Sequence, residues 1–416
     1  MSTPVAPISR LYRVPAELGA ARVLPGAPAR LVIAAAEAPE WGLADERRLG
    51  YFAGADAEGI VDALRDAGLR GRGGAGFPAH VKWRGVADAP GPTVVVANGH
   101  EGEPASAKDR WLLTRRPHLV LDGLLLAARV VGADRAVVYA SAADSVAATA
   151  RAIADVTAAG LVPPGVSLEI FRTADGYVAG EETSAVRAIN GGPALPLAKP
   201  PRPFESGVDK RPTLVSNVET LAHAAWIARH GAAAFRSVGT AGSAGTALFT
   251  LTGAGMAGAV VEAPLGTTVG ELFAAAGATL REPTGLLMGG WFGGMLTGDL
   301  TGLRCAHAEV AAAGSGLGCA AITALGPDDD VLAVAAELGG WYAAESSRQC
   351  GVCRNGTQAI STTLTAMRDG DTHPEHREKL ARWGTTLPGR GACAFLDGAA
   401  TLARSVAADL TTARHH

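Results

Sequence analysis

The sequence predicts an α/β protein in three parts: a sheet covered by helices on both faces, a small β-grasp-like domain, and a C-terminal α-helical bundle. Three observations carry this. Between residues 55 and 235, short β-branched runs alternate with amphipathic segments, the rhythm of strands linked by helices. Between 246 and 305, two extended runs, a short helix and more extended chain follow one another. From Asp328 onward the apolar residues keep helical spacing. A length of 416 residues with 48% hydrophobic content leaves room for several cores.

Taken in order, residues 1–50 carry scattered prolines and one strand candidate, Arg30–Ile33, and read as an N-terminal arm. Ile60–Gly68 has helical spacing, and Thr93–Ala97 is a β-branched run that reads as a buried strand. Asp109–Val131 reads as one long amphipathic helix, Ala136–Tyr139 as a strand, Ser145–Ala159 as a helix and Ser167–Phe171 as a strand. Gly176–Ser184 is a turn leading into a helix with acids in its first turn, and the proline-rich stretch 191–213 is extended. Leu214–Thr220 opens another helix. Gly239–Gly245 reads as a linker and domain boundary. Thr246–Leu251 and Val260–Ala263 form a hairpin, Thr267–Ala276 a helix capped by Thr268, and Leu286–Met288 begins further extended chain. The expected units are the arm at 1–50, the α/β domain at 51–238, the β-grasp-like domain at 244–305 and the helical domain at 325–416.

A net charge of −3 gives no reason to expect nucleic acid or an anionic membrane as partner. The longest apolar stretch, His118–Gly132, is interrupted by Asp122 and Arg129 and is too short to span a bilayer. The N-terminus lacks a signal-peptide pattern. Five cysteines, clustered late in the chain, suit a reducing compartment and a metal or redox role, which makes the cytoplasm the expected location.

The chemistry concentrates in residues 68–110. Gly68-Leu69-Arg70-Gly71-Arg72-Gly73-Gly74-Ala75-Gly76-Phe77-Pro78 lets backbone N–H groups approach a ligand, and Arg70, Arg72 and Lys82 add positive charge. That suits a phosphate. A loop with two carboxylates, Glu101 and Glu103, follows the strand, so a nucleotide-like ligand held at both ends is indicated. A bare glycine loop is the plain alternative. Gly71, Gly73 and Gly76 spell the dinucleotide fingerprint, but a helix precedes them and Pro78 follows, which is the wrong context.

Late in the chain, Cys350 and Cys353 form Cys-x-x-Cys, and Cys393 follows forty residues on. Zinc, an iron–sulfur cluster or a redox dithiol would each use such a set. Zinc usually takes four N/S ligands, and a dithiol prefers a βαβ context. A cluster is therefore the preferred reading, with inert buried thiols as the bland one. Cys305 and Cys319 lie outside the pattern and read as structural.

Together these motifs resemble the NADH-oxidising flavoprotein subunit of respiratory complex I (the 51-kDa type), which also serves as the diaphorase subunit of some hydrogenases and formate dehydrogenases. The resemblance rests on residues 68–78, on Glu101-x-Glu103-Pro104 with Lys108-Asp109-Arg110, and on Gly180-Glu181-Glu182-Thr183. Lys199-Pro200-Pro201 and Asn217-Val218-Glu219-Thr220 complete it. It implies a Rossmann-like FMN-binding domain, a β-grasp (ubiquitin-like) domain and a helical bundle with a [4Fe–4S] cluster. FMN would take a hydride from NADH and pass single electrons to the cluster. Gly71, Arg72, Gly73, Gly74, Lys82, Asn98 and Asn217 would hold the FMN phosphate and ribityl chain. Glu101, Glu103, Tyr177, Gly180, Glu181 and Glu182 would line the flavin and nicotinamide, with Glu101, Glu181 and Glu182 nearest the chemistry. Phe77 would stack on adenine and Lys199 would border the NADH site. The expected partner is a small iron–sulfur or ferredoxin-like subunit, within a larger respiratory or hydrogenase-type complex peripheral to a membrane.

The departures from the family pattern are informative. Ser347 stands where the family has the first cluster cysteine, which leaves a [4Fe–4S] cluster with Ser347 or water on one iron, a [3Fe–4S] cluster, or none. His100 replaces an aspartate beside the flavin, and a protonated imidazole there would raise the flavin potential. Ser216 replaces an asparagine, and Gly85 and Arg202 replace adenine-stacking aromatics. Arg202 offers instead a guanidinium for adenine or for the 2′-phosphate of NADPH. The leading expectation is an NAD(P)H dehydrogenase subunit. The competing one is a regulatory FMN-binding paralogue without NADH oxidation, and a third is the reverse flow from ferredoxin to NAD(P)+.

Overall fold

The computed structural model describes residues 13–14, 19–38, 41–53, 59–253, 255–280 and 283–412. The chain enters through a two-residue strand, β1 (Arg22–Val23). Four strands then build a wholly parallel sheet: β2 (Thr93–Asn98), β3 (Ala133–Ala140), β4 (Ser167–Arg172) and β5 (Thr213–Asn217), in the order β4-β3-β2-β5. β2 reads Thr-Val-Val-Val-Ala-Asn because it is covered on both faces. Val95 and Ala97 pack with Leu121, Leu124 and Leu221, while Val94 and Val96 pack with Ala185, Val186 and Val208 on the other side.

This strand order places a topological switch next to β2. The chain leaves β2 for β3 and β4 on one side, then returns to lay β5 on the other. Asn98 and Asn217, the last residues of β2 and β5, stand in register at that point. In open parallel sheets the crevice beyond such strand ends is where ligands bind.

Two expected elements differ here. The long helix expected at 109–131 is two helices, Lys108–Arg115 and Pro117–Val131. Arg116 between them leaves helical geometry, and Pro117 at the first position of the second helix lacks the N–H that continuation would need. The helix expected to open at 214 is strand β5 first. Asn217 ends it and caps the helix Val218–Arg236, its Oδ1 accepting the Glu219 N–H at 3.0 Å.

A second, mixed sheet has the order β1-β7-β6-β10-β8-β9. Its strands are β6 (Thr246–Gly253), β7 (Met256–Pro264), β8 (Gly285–Met288), β9 (Met295–Leu296) and β10 (Ala321–Leu325), with the helix Val269–Ala275 packed on it. Thr268 and Glu271 form the capping box that starts this helix. The sheet runs past the boundary expected at 305, because β10 pairs in parallel with β6. Gly239–Gly245 is a hydrogen-bonded turn rather than a loose linker, with Thr240 and Ser243 bonded to each other through their backbones.

The arm is tied down by a carboxylate. The expected strand Arg30–Ile33 does not form. Instead the amides of Arg30, Leu31 and Val32 converge on Glu262 Oε2 at 3.1, 2.9 and 2.8 Å. Their donors go to a buried side chain on β7 and none is left for a ladder. The C-terminal helices Val331–Glu345, Gly351–Arg368, Glu375–Thr386 and Phe395–Thr412 form the expected bundle. Its core is continuous with Ala105, Val178 and Trp291 of the other units. Among the described residues no helix is long and apolar enough to cross a membrane.

Candidate functional site

The glycine loop sits at the switch point. Gly68 ends the helix Ile60–Ala67 in the left-handed conformation, and the loop closes on itself through Gly71 N–H to Phe77 O at 2.8 Å. Gly73 is pressed against Asn217, where a Cβ would lie 3.2 Å from the Asn217 Cβ. Gly74, at φ +117°, faces open space. The loop is thus a cradle that side chains would fill, which fits a phosphate held by backbone amides. Phe77 is half exposed at its far end.

Two asparagines lock the crevice floor. Asn98 Nδ2 donates to Gly180 O at 2.8 Å, drawing the 176–182 turn against β2. Asn217 Nδ2 donates to Asp109 Oδ2 at 2.7 Å. Asp109 also accepts from Lys108 Nζ at 2.7 Å, and Lys108 reaches Glu219 at 2.9 Å. Burial raises Asp109 to about 7 against the opposing pull of Lys108, whereas Lys108 and His223 overcome burial to hold Glu219 down at about 2.

The acidic residues divide by role. Glu101 caps the helix Lys108–Arg115, accepting from Ser106 Oγ, Asp109 N and Arg110 N at 2.5, 3.2 and 2.9 Å. Glu181 caps the helix Glu182–Ile189 through the amides of Thr183 and Ser184, and its other oxygen accepts from Lys199 Nζ at 2.7 Å. Glu182 stands between two cations, Lys82 at 2.8 Å and Lys199 at 3.2 Å. Burial works to raise Glu182, but these lysines hold it below the ordinary carboxylate value. Glu103 accepts from Trp291 N at 3.0 Å, and burial pushes it up to about 7.

Two expected contacts are turned inward. The Arg72 guanidinium is buried, donating to Thr246 O at 3.0 Å and lying 3.8 Å from Glu219. It also donates to Arg70 O at 3.4 Å, so it braces the loop from beneath. Tyr177 packs among Phe292, Trp341 and Phe395, with ring centroids 6.4, 5.0 and 5.4 Å away.

His100 also departs from expectation. Its ring is buried, with Nε2 2.8 Å from Gly176 O and Nδ1 3.1 Å from Ser141 Oγ. A carbonyl only accepts, so Nε2 carries the proton and Nδ1 accepts from Ser141. Burial lowers the imidazole value despite the Gly176 bond, so the ring is neutral and brings no positive charge to the site. The residue missed by sequence reasoning is Asp109. Its signal was present in Lys108-Asp109-Arg110, a polar triplet that turns out to be mostly buried.

Cys350, Cys353 and Cys393 come together from two segments. Ala392 N–H donates to Cys350 Sγ at 3.4 Å, a Cβ on Gly391 would lie 3.1 Å from Cys353 Sγ, and Cys353 and Cys393 are both raised in part by the neighbouring cysteines. Burial raises Cys353 to about 12. Among the described residues no three His, Cys, Asp or Glu side chains form a single-ion site. Three sulfurs with an N–H donor and backbone close by suit a polynuclear cluster, with half-buried Ser347 on the same loop. Glu181 and Lys199 both act on Cys393, so this centre borders the first.

The comparisons agree with this geometry. Residues 64–226 match the Nuo51 FMN-binding domain, and 333–411 match the NADH-ubiquinone oxidoreductase-F iron–sulfur binding region. The F 2 subunit of the NADH-quinone oxidoreductase of Rhizobium meliloti is 32% identical over 354 residues, covering 82% of this chain and 84% of that one. The corresponding F protein of the Salmonella typhimurium oxidoreductase is 33% identical over 363 residues, covering 83% and 81%. A chain of NAD+-reducing [NiFe]-hydrogenase in the air-oxidised state superposes with a TM-score of 0.76 at 31% identity. That match covers 85% of this chain, which spans 61% of the hydrogenase chain. The chain belongs to the family of NADH-oxidising flavoprotein subunits, with an FMN-binding domain and an iron–sulfur binding region in one polypeptide.

Proposed function

We propose that FMN is held beyond the ends of β2 and β5, its phosphate at Gly71, Gly73, Gly74 and Lys82, and that NADH enters past Phe77 toward Lys199. The observation that carries this is the Asn98–Asn217 pair at the switch point, with the glycine loop pressed onto Asn217. Bound FMN supplies the conversion of a two-electron donor into single electrons. The chain's own residues orient and insulate. Asp109 fixes the Asn217 amide, Asn98 and neutral His100 hold the 176–182 turn, and Lys82 and Lys199 balance Glu181 and Glu182 so that an anionic dinucleotide is tolerated. Glu101 and Glu181 act as caps that set the loops, and Glu182 is the carboxylate nearest the dinucleotide.

Cys350, Cys353 and Cys393 hold the cluster, with Ser347 at the fourth corner. The acceptor is a small iron–sulfur subunit of a larger complex, in the cytoplasm or peripheral to a membrane. The units are 51–238, 244–325 and 326–416, the second extended to include β10. An anaerobic absorption spectrum before and after NADH, then NADPH, tests this reading. Bleaching of a flavin band near ~450 nm by NADH supports it; bound flavin that neither nucleotide bleaches overturns it.

A further inference from the structure

The two segments that converge on the cysteine centre also carry arginines. Arg348 and Arg354 flank Cys350 and Cys353, and Arg390 precedes Cys393; all three are exposed. Gln349 is held in place from two sides, donating to Pro196 O at 2.8 Å and accepting from Arg187 at 3.0 Å. This brings a fourth cation to the same rim. Neither 346–357 nor 387–394 contains a carboxylate. The acids closest to the centre already have partners: Glu345 accepts the Tyr177 N–H, Glu181 is paired with Lys199, and Asp397 accepts the Gly389 N–H at the exposed edge of the rim. Val352, one of the few large apolar side chains left open among the described residues, lies between the cysteines of this rim.

Arg348 adds an independent observation. Its φ is +56°, in the left-handed region that glycine occupies freely and other residues enter only with strain. Phe52, Asp209, Lys210 and Ala320 share this conformation; at Arg348 it falls on an exposed cation of this rim. An apolar centre ringed by cations is the form of a charge-steered docking face.

We infer that Arg348, Arg354, Arg390 and Arg187, around Val352, form a docking face for an acidic electron-carrier protein, placed over the cysteine centre. The inference rests on the proposed function, since it names the chemistry of the acceptor. The surface would reject basic carriers by the same field.

The test is binding of oxidised plant-type [2Fe–2S] ferredoxin, an acidic carrier, to the flavin- and cluster-loaded protein, with cytochrome c as a basic comparison. The ferredoxin Kd should weaken about tenfold or more between 50 and 300 mM salt, and cytochrome c should not bind. Arg348→Gly removes the charge and relieves the backbone, so it should fold at least as well yet bind ferredoxin about threefold more weakly. Arg390→Ala should act alike, and the two together should multiply. Flavin bleaching by NADH, measured on the same samples, should be unchanged in both variants. Salt-independent ferredoxin binding, equal binding by both variants, no ferredoxin binding, or preference for cytochrome c overturns the docking face. Failure of NADH to bleach the wild-type flavin overturns the proposed function instead, and leaves the binding result standing.

Discussion

The Asp109 carboxylate accepts a 2.7 Å hydrogen bond from the Asn217 side-chain amide, and through it the buried Lys108–Glu219 pair supports the floor of the crevice proposed to hold the flavin. Asn217 caps a helix with its oxygen and meets Asp109 with its nitrogen, so its orientation is fixed before any ligand arrives. Asp109→Asn leaves one acceptor oxygen, which cannot serve both Lys108 Nζ and the Asn217 amide, and sets an NH2 donor against one of them. The expected result is an FMN Kd weakened about tenfold in a folded protein, read by flavin fluorescence titration of the apoprotein. An unchanged Kd would show that the asparagine needs no support.

Lys199 separates two carboxylates, Glu181 and Glu182. Replacing it with alanine leaves Glu182 to Lys82 alone and makes the dinucleotide approach more negative. KM for NADH should rise about tenfold with kcat little changed, the pattern of lost uniform binding. Lys199→Arg should retain most of the wild-type value. Steady-state kinetics with a small dye acceptor reads both.

Glu103 has a native value of about 7 against an ordinary 4.5, because burial disfavours its charge. Between those values the folded state binds the extra proton, so stability falls as pH rises through this window and levels above it. The contribution is on the order of 3 kcal/mol. Glu103→Gln should flatten the profile between pH 4.5 and 7 and be more stable than the wild type at pH 8, measured by urea unfolding. His223 works in the opposite direction. Burial lowers it from 6.5 to about 4, so its stabilising share is lost as pH falls through that range.

Arg116 and Glu46 are both fully buried and paired, and Arg116 also donates to Leu31 O at 2.9 Å. Arg116→Ala strands a buried carboxylate. It should cost about 3–5 kcal/mol in denaturant unfolding, more than a surface ion pair contributes.

Ser347→Cys adds a thiol beside the cysteine centre, at the position proposed as its fourth ligand. Anaerobically isolated variant should retain more iron per chain after brief air exposure than the wild type, read by iron analysis. Equal retention would remove Ser347 from the ligand set.

Much of the fold was legible because its signals are local. The buried run Thr93–Ala97, the Thr268 capping box and the hairpin at 246–263 each declare themselves within a few residues. The errors lie where distant partners decide. Arg30–Ile33 reads as a strand because nothing nearby reveals that Glu262 takes the amides of Arg30, Leu31 and Val32. β10 was assigned to no sheet because its partner β6 lies about seventy residues back. In the site, residue types were readable but not their commitments. Glu101 and Glu181 commit their oxygens to helix N-termini, Arg72 turns its charge into the core, and His100 is neutralised by burial. Sequence pattern identifies who is present at a crevice; burial and hydrogen bonding decide who is free to act.

The clasp of Glu262 on residues 30–32 has a consequence for how this polypeptide can be cut. The same short stretch gives its amides to the second sheet and its carbonyls to Arg116 of the first unit. A fragment beginning at residue 51 would therefore strip the partners from two buried polar side chains at once, one in each unit. Residues 30–32 are a shared keystone, and neither the first unit nor the second sheet is expected to survive as a separate fragment without them.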